Sequence, residues 1–167
     1  TLFANHSIIP QFRFTAFWSV TDNWIKWTPA DGGQYQATNI GEVVSKGTES
    51  SLTGSWKIRK VILGARVAYT FCRSEKQHVT REPQDPTDDL QLIYIPVHAA
   101  SGQLSASVGA WRVSYYHHFC GKRFTTSDHS ASIPSYQTGD LTITHLFPLR
   151  KGVVACFVRV DNLWDEA

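Results

Sequence analysis

Eight basic side chains are the most suggestive chemical feature of this sequence, because they lie on or beside predicted strands. They are Arg13, Lys57, Arg59, Lys60, Arg66, Arg112, Lys122 and Arg123. If the rim of a sheet gathers them, the surface would contact phosphates without reading base sequence, and nearby Trp or Tyr rings could stack on unpaired bases. The alternative is a solvated strand face that keeps the protein soluble. We predict that these eight residues bind nucleic acid.

Metal-binding or catalytic chemistry finds little support in the sequence. His117, His118 and Cys120 are the only close cluster of metal-capable side chains, and neighbouring strand residues point to opposite faces. The sequence has no nucleophile elbow and no phosphate-binding glycine loop. We therefore predict no enzyme activity, no catalytic residues, no metal site and no cofactor.

Two further patterns have simple interpretations. Asp85, Asp88 and Asp89 could supply oxygen ligands to Ca²⁺, but they lack the Gly and the terminal Glu of an EF-hand, so a solvated acidic turn is favoured. The triplet that begins at Asn5 has the form of a glycosylation acceptor, which is common by chance. Neither pattern assigns a function.

The elements that would position these residues are strands. Residues 56–71 form the longest run that reads as one strand, with apolar side chains at alternate positions from Val61 to Phe71 on a face expected to meet the core. Further strands are predicted at residues 12–20, 90–97, 111–119, 141–147 and 153–160. Weaker strands are possible near Val43 and at residues 133–136, and no amphipathic helix is longer than a turn or two.

Long polar segments separate these strands. Residues 28–55 are rich in Gly, Ser, Thr and Asn, and residues 73–89 and 98–109 also read as loops. Loops of this length are typical of functional or subunit-contacting segments. The strands and the absence of long helices predict an all-β chain, and residues 28–55 are interpreted as a large functional or interface loop.

Composition limits the possible classes of protein. The 167 residues fit one domain, residues 1–167, and the net charge of +2 is too small to identify a polyanionic partner by itself. Three widely spaced cysteines are interpreted as small buried thiols of an intracellular protein and not as disulfides. No apolar run is long enough to span a bilayer as a helix, which predicts a soluble protein without membrane insertion.

Short strands separated by long loops favour a single jelly roll, in which two antiparallel sheets pack together in Greek-key order. Residues 56–61, Trp-Lys-Ile-Arg-Lys-Val, resemble the aromatic-basic strand of capsid proteins from small circular single-stranded DNA viruses of circovirus and nanovirus type. Residues 114–119 with the Lys122-Arg123-Phe124 segment, and the final strand that ends near Arg159, are vaguer matches to the same family.

This resemblance implies a structural protein that assembles with copies of itself into a small icosahedral, T=1 shell. It implies packaging of a single-stranded genome, with DNA favoured over RNA by the resemblance, and an unknown host receptor. The expected location is the virion, with the host nucleus or cytoplasm during assembly. The family also carries a basic N-terminal arm, which we expect before residue 1 because the sequence begins at Thr1 and contains no Met.

Three alternatives stay open at this point. Satellite RNA viruses build similar shells from chains of similar length, so the genome could be RNA. A carbohydrate-binding or trimeric ligand module is also compatible with a jelly roll, since Trp24, Trp27 or Trp164 could stack on sugar rings. A cupin-like metal enzyme ranks last, because the required pair of histidines on one strand face is missing.

Overall fold

The computed structural model describes residues 10–29, 34–77 and 86–165, and in these ranges the chain is built from β-strands without a helix. The strands are β1 Gln11–Thr21, β2 Ile25–Pro29, β3 Tyr35–Asn39, β4 Val43–Ile58, β5 Val61–Lys76, β6 His98–Val108, β7 Trp111–Cys120, β8 Arg123–Phe124, β9 Ser132–Ile133, β10 Tyr136–Leu149 and β11 Gly152–Val160. The prediction of an all-β chain is confirmed.

Seven strands form one antiparallel sheet in the order β1-β4-β5-β6-β7-β10-β11. The pairs β2-β3 and β8-β9 form two small sheets of their own. The large sheet therefore follows the order of the chain, as a meander does, whereas a jelly roll requires two packed sheets in Greek-key order. The predicted jelly-roll arrangement is not confirmed.

The two ends of the large sheet differ in the length of their connections. At one end, the turn end, two-residue turns join β4 to β5, β6 to β7 and β10 to β11, at residues 59–60, 109–110 and 150–151. At the opposite end, the loop end, residues 22–42, 77–97 and 121–135 make the connections, and the two small sheets lie within them. Every short connection of the sheet thus lies at one end.

The strands are staggered across the sheet. β5 pairs with β6 only through residues 61–71, so residues 72–76 extend beyond β6 at the loop end. On the other side, residues 146–149 of β10 extend beyond β7 at the turn end and pair with β11. Such stagger accompanies the strand tilt of a curved or closed sheet. In the described ranges β1 and β11 do not pair with each other, and the sheet is open.

The predicted long strand at residues 56–71 is wrong. The chain reverses at Arg59 and Lys60, and Ile58 pairs with Val61 across this turn. Arg59 has a φ of 54°, in the left-handed region that tight hairpin turns require and that Gly or Asn usually occupies. Because neither Gly nor Asn is present, the turn has no conventional sequence signal.

Three other segments also differ from prediction. The predicted loops at 28–55 and 98–109 contain most of β4 and all of β6, two long strands rich in small and polar residues. Residues 90–97, predicted as a strand, contain only an isolated bridge between Glu75 and Gln91. The strands predicted at 12–20, 111–119, 141–147 and 153–160 are confirmed as parts of β1, β7, β10 and β11.

The expected apolar core is also wrong. In the described residues, the buried apolar side chains are Val43, Leu92 and Cys120. The supposed core side of β5 is only half-buried at Val61, Leu63, Ala65 and Phe71, and it is exposed at Val67 and Tyr69. A second sheet does not cover this surface in the described part of the chain.

The cysteines and the acidic segment are placed as follows. The cysteines are free, as predicted, but only Cys120 is buried, whereas Cys72 is half-buried and Cys156 is exposed.

Asp88 is not a solvated residue, because its carboxylate is buried against the Lys76 ammonium at 2.9 Å. Asp85 and the Asn5 triplet lie outside the described residues.

Candidate functional site

One side of the large sheet, which we call the apolar face, carries apolar residues on all seven strands. Strand residues alternate between sides and directly paired residues share a side, so the ladder registers assign each residue to a face. Its representatives, strand by strand, are Phe12, Phe14, Trp18, Leu52, Trp56, Val67, Leu104, Val113, Ile143 and Val158. Trp18 is 76% exposed and Leu104 57%. An apolar surface of this extent indicates contact with a non-aqueous environment or a partner.

Aromatic rings occur toward both ends of the apolar face. Trp56, Trp111 and Phe147 lie toward the turn end, whereas Trp18, Tyr69 and Phe71 lie toward the loop end. Aliphatic residues, such as Leu52 and Leu104, occupy the region between them. Trp and Tyr prefer the boundary between a bilayer and water, because their rings are apolar and carry a polar atom.

The apolar face ends in a charged cluster at the loop end. The Glu75 carboxylate lies 2.5 Å from the Arg73 guanidinium and 3.6 Å from the Lys46 ammonium, and all three residues have the parity of the apolar face. On β5 the apolar stretch therefore runs from Val61 to Phe71. That stretch is about 33 Å long along the strand, and a tilt of about 40° would project it to roughly 25 Å, the height of the apolar band of outer-membrane barrels.

The opposite side, the polar face, carries mainly Ser, Thr, Gln and basic residues. The Arg66 Nε donates to Thr53 Oγ1 at 3.3 Å, and the Arg112 Nε donates to Ser107 Oγ at 3.2 Å. Arg159 binds the Asp140 carboxylate at 3.1 Å on the same face. These contacts join neighbouring strands through polar side chains, as in a hydrated interior.

The predicted nucleic-acid residues do not form a single site. Arg13, Lys57, Arg66 and Arg112 lie on the polar face, Arg59 and Lys60 occupy a tip at the turn end, and Lys122 and Arg123 lie at the loop end. The last two contact rings, with the Lys122 Nζ 4.8 Å from the centre of Phe124 and the Arg123 guanidinium 5.2 Å from that of Tyr136. No contact in the described residues tests a nucleic-acid role, which stays a prediction from sequence.

At the loop end, polar contacts join the connecting segments to the sheet. The Ser74 amide donates to the Gln91 side chain at 3.0 Å, and Gln91 is itself buried. The His129 ring contacts the Gln91 carbonyl oxygen through Nε2 at 2.8 Å and stacks on Phe124 at 3.5 Å. The small β8-β9 sheet is thereby anchored to the end of β5.

A cavity of about 270 Å³ opens at this end, between the β2-β3 sheet and the connecting segments. Lys26, Thr38, Leu92 and Ser127 are among its lining residues, and Lys26 Nζ donates to Ser127 Oγ. Because both polar and aliphatic side chains line this opening, it could admit a small amphipathic molecule.

Next to this cavity, the segment around Asp128 is held by local hydrogen bonds. The Asp128 carboxylate accepts from the Ser130 hydroxyl at 2.8 Å and from the Ser130 amide at 3.1 Å. The hydroxyl of Ser130, followed by that of Thr126, lowers the pKa of Asp128 from 3.8 to about 2. The ionised carboxylate is therefore the form that this loop stabilises.

Comparison with known proteins assigns the family. Residues 6–163 match the family model described as TonB dependent receptor-like, beta-barrel. The chain belongs to this receptor family. A search with the sequence of this chain found no significant match to a curated protein.

Membership of the TonB-dependent receptor-like family overturns the capsid resemblance. The matching motif was a short aromatic-basic run at residues 56–61, and in the structure this run is divided by the turn at Arg59 and Lys60. Assembly into a closed viral shell, packaging of a genome and a location in virions or host cells are contradicted by the family match. The lectin and satellite-virus alternatives likewise find no support.

The family points to a membrane-embedded receptor of the bacterial outer membrane, so the predictions of no membrane insertion and an intracellular location were wrong. That prediction considered only apolar runs of helical length, and no described residue lies in a helix long and apolar enough to cross a membrane. In the parts of the chain that the structure describes, no group of three or more His, Cys, Asp or Glu could hold a metal ion.

Sequence reasoning missed the functional importance of the exposed apolar residues of this receptor chain. The apolar residues from Val61 to Phe71 were expected to meet a core, since the same alternation occurs in soluble sandwiches and in membrane barrels. A signal was nevertheless present, because the opposite side of β4 and β6 is rich in Ser, together with Thr, Gly and Gln. Such strands are typical of a barrel with a polar interior.

Proposed function

We propose that the seven-stranded sheet is part of the membrane-spanning wall of an outer-membrane receptor. The apolar face contacts lipid and the polar face lines the interior of the barrel. The observation that carries the proposal is the exposed apolar face, aromatic toward both ends and charged beyond its limit at the loop end. In water such a surface would aggregate, whereas in a bilayer it is solvated by acyl chains.

The connections of the sheet support one orientation. Outer-membrane barrels have short turns on the periplasmic side and longer loops outside the cell. The tips at residues 59–60, 109–110 and 150–151 then face the periplasm, and the loop end faces the medium. An incoming ligand would first meet the cavity beside Lys26 and Ser127.

The open edges of the sheet require further strands. β1 and β11 each have one strand neighbour in the described chain, and unpaired backbone groups within a bilayer cost several kcal/mol each. We infer that β1 and β11 pair with further strands, which complete the barrel. The proposed role is ligand recognition and passage, without a catalytic step.

Quenching of tryptophan fluorescence by brominated acyl chains tests this orientation. Full-length protein is reconstituted into phospholipid vesicles as variants that each retain one tryptophan of this chain. Trp18 and Trp111 lie on the apolar face, whereas Trp27 is exposed on the small β2-β3 sheet at the loop end. We expect strong quenching of Trp18 and Trp111 and little quenching of Trp27, the matched control.

Bromine attached at different depths of the acyl chain sharpens the result. Trp18 and Trp111 lie toward opposite ends of the apolar face, so both are expected to respond more to shallow than to deep bromine. Equal quenching of all three tryptophans, or none in any of them, would contradict the assignment of the apolar face to lipid.

A further inference from the structure

The part of the sheet next to the turn end carries basic residues without acidic ones. Residues 52–66, 103–115 and 141–158, which include the three tight turns and their flanking strands, contain seven Lys or Arg residues and no Asp or Glu. All 14 acidic residues of the chain lie elsewhere. Arg59, Lys60, Arg150 and Lys151 occupy two of the three tips, and all four are exposed. This end of the sheet therefore presents a positive potential that favours an anionic surface or ligand.

An apolar groove lies close to one of these cationic tips, on the apolar face. It encloses about 360 Å³ and is lined by Trp56, Leu63, Ala65, Leu104, Ala106, Val113 and Tyr115, together with Gly64 and Ser105. Ala65 and Ala106 make the floor shallow, while the rings of Trp56 and Tyr115 come from strands on either side. The groove is therefore a recess between two aromatic rings, and its lining is mainly apolar.

We propose that this groove and the adjoining tip bind one anionic diacyl phospholipid of the leaflet at the turn end. An acyl chain lies in the groove, and the headgroup phosphate is bound by Arg59 and Lys60. Leu63 is three residues beyond Lys60, a separation of about 10 Å along the strand. That separation lets one lipid contact the tip with its phosphate and the groove with its chain.

The charge and the location select this occupant. A groove on a lipid-contacting surface is filled by acyl chains, and cations without neighbouring acids favour an anionic headgroup over a zwitterionic one. Arg112 belongs to the same half of the sheet but lies on the polar face, where its Nε donates to Ser107. It is thus excluded from the lipid contact. The inference rests on the proposed function, because the groove meets acyl chains only if the apolar face contacts lipid.

The test uses full-length protein in vesicles of phosphatidylcholine with a minor fraction of phosphatidylglycerol, in which either lipid carries the bromine. Variants that retain only Trp56 report on the groove, and variants that retain only Trp18 report on ordinary lipid contact. We expect brominated phosphatidylglycerol to quench Trp56 much more than its mole fraction predicts, and Trp18 only in proportion to that fraction.

Removal of the cationic tip should abolish this preference. A cation near an anionic lipid surface contributes roughly a fivefold preference, so R59Q with K60Q is expected to lower the selectivity at Trp56 by roughly 25-fold. R112Q removes a cation from the polar face and should leave the selectivity unchanged. Native mass spectrometry of the protein with its own tryptophans supplies a second measurement, the number of phosphatidylglycerol molecules retained.

The outcomes separate this inference from the proposed function. Quenching of Trp18 and Trp56 in proportion to mole fraction by both lipids would overturn the lipid site and leave the membrane orientation intact. Absence of Trp18 quenching by any brominated lipid would overturn the orientation and with it the site. If R112Q lowered the phosphatidylglycerol selectivity at Trp56 as much as R59Q with K60Q does, the preference would come from the overall charge of the protein. That result would overturn phosphate binding by Arg59 and Lys60.

Discussion

The two faces of the large sheet share strands and backbone but have opposite chemistry. On the apolar face, Leu104 is flanked across the ladder by Ala65 and Tyr115, and its side chain is exposed. One residue earlier, Gln103 lies on the polar face between Arg66 and Tyr116. A single step along the chain thus changes the environment from aliphatic to polar.

This difference shows that alternation predicts two faces without predicting which solvent each one meets. In a soluble sandwich the apolar side is covered by a second sheet. In a barrel that crosses a membrane, the apolar side faces lipid and the polar side faces the interior. Substitutions that have opposite effects on the two faces are therefore the most direct test of the proposed orientation.

The largest effect is expected from a charge on the apolar face. Leu104→Arg places a guanidinium near the middle of the apolar band, at an expected cost of about 2–4 kcal/mol in the free energy of unfolding from the bilayer. Gln103→Arg is the matched control, because the same side chain is added one residue away on the polar face. Urea titration of full-length protein in vesicles measures both. Equal destabilisation of the two variants would contradict the assignment of the faces.

Two glycines test how closely the faces are packed. A Cβ at Gly47, on the polar face, would overlap the carbonyl oxygen of Phe71 and approach the Phe17 ring at 2.8 Å. A Cβ at Gly102, on the apolar face, would have no neighbour within 4 Å. Gly47→Ala is therefore expected to cost about 1–3 kcal/mol, because the strands must separate to admit the methyl group.

Gly102→Ala is the control for this substitution, and it should change the free energy of unfolding by less than about 1 kcal/mol. The same urea titration measures both variants. If Gly102→Ala proved as damaging as Gly47→Ala, the cost would come from strand glycines in general and not from crowding at Gly47.

How much of the fold the sequence predicts depends on the contrast between neighbouring residues. Where large apolar and polar residues alternate, as in β1 from Phe12 to Val20, the strand was predicted correctly. Most of β4 and all of β6 were predicted as loops, because their Ser, Gly, Thr and Ala residues are less typical of strands than β-branched and aromatic residues are. These strands are stabilised mainly by their ladder neighbours, which a local pattern does not reveal.

The turn at Arg59 and Lys60 illustrates a signal that was present but was interpreted differently. Trp56 and Ile58 have even numbers, whereas the apolar residues from Val61 onward have odd numbers. Residues 56–71 were nevertheless predicted as a single strand. A two-residue turn produces the same change, since Ile58 and Val61 pair and share a face.

Only part of the candidate site could be predicted from the sequence. Alternation correctly separated Arg13, Arg66 and Arg112 from the apolar side. It could not place Lys122 and Arg123 at the end opposite Arg59 and Lys60, because that requires the connectivity of the whole sheet. The cavity at the loop end is formed by segments distant in sequence, which no local motif identifies.

A smaller effect is expected from a substitution in the charged cluster at the loop end of the apolar face. Glu75 has the parity of the apolar face, yet it pairs with Arg73 and Lys46, which are about half exposed. Glu75→Gln removes both ion pairs and is expected to cost about 1 kcal/mol, with a loss that shrinks at high salt. Urea titration at two ionic strengths measures this dependence. A loss as large as that of Leu104→Arg would place the cluster inside the apolar band, contrary to the proposed limit.

The smallest effect concerns Asp128, which lies outside both faces. Its pKa is lowered from 3.8 to about 2 by hydrogen bonds from Ser130 and Thr126, so the ionised carboxylate stabilises the folded loop. This stabilisation is fully present above about pH 4 and is lost as the pH falls from 4 toward 2, because protonation removes the acceptor. Carboxyl NMR of full-length protein in detergent micelles, assigned with Asp128→Asn, should give a midpoint near 2.

Ser130→Ala tests the cause of that shift. The variant loses the hydroxyl that donates at 2.8 Å but keeps the backbone amide that donates at 3.1 Å. Its midpoint should therefore rise toward 3.8 without reaching it, while the unfolding of the sheet in urea stays the same. An unchanged midpoint in Ser130→Ala would assign the low pKa to another donor and would separate the loop from the contacts that the structure describes.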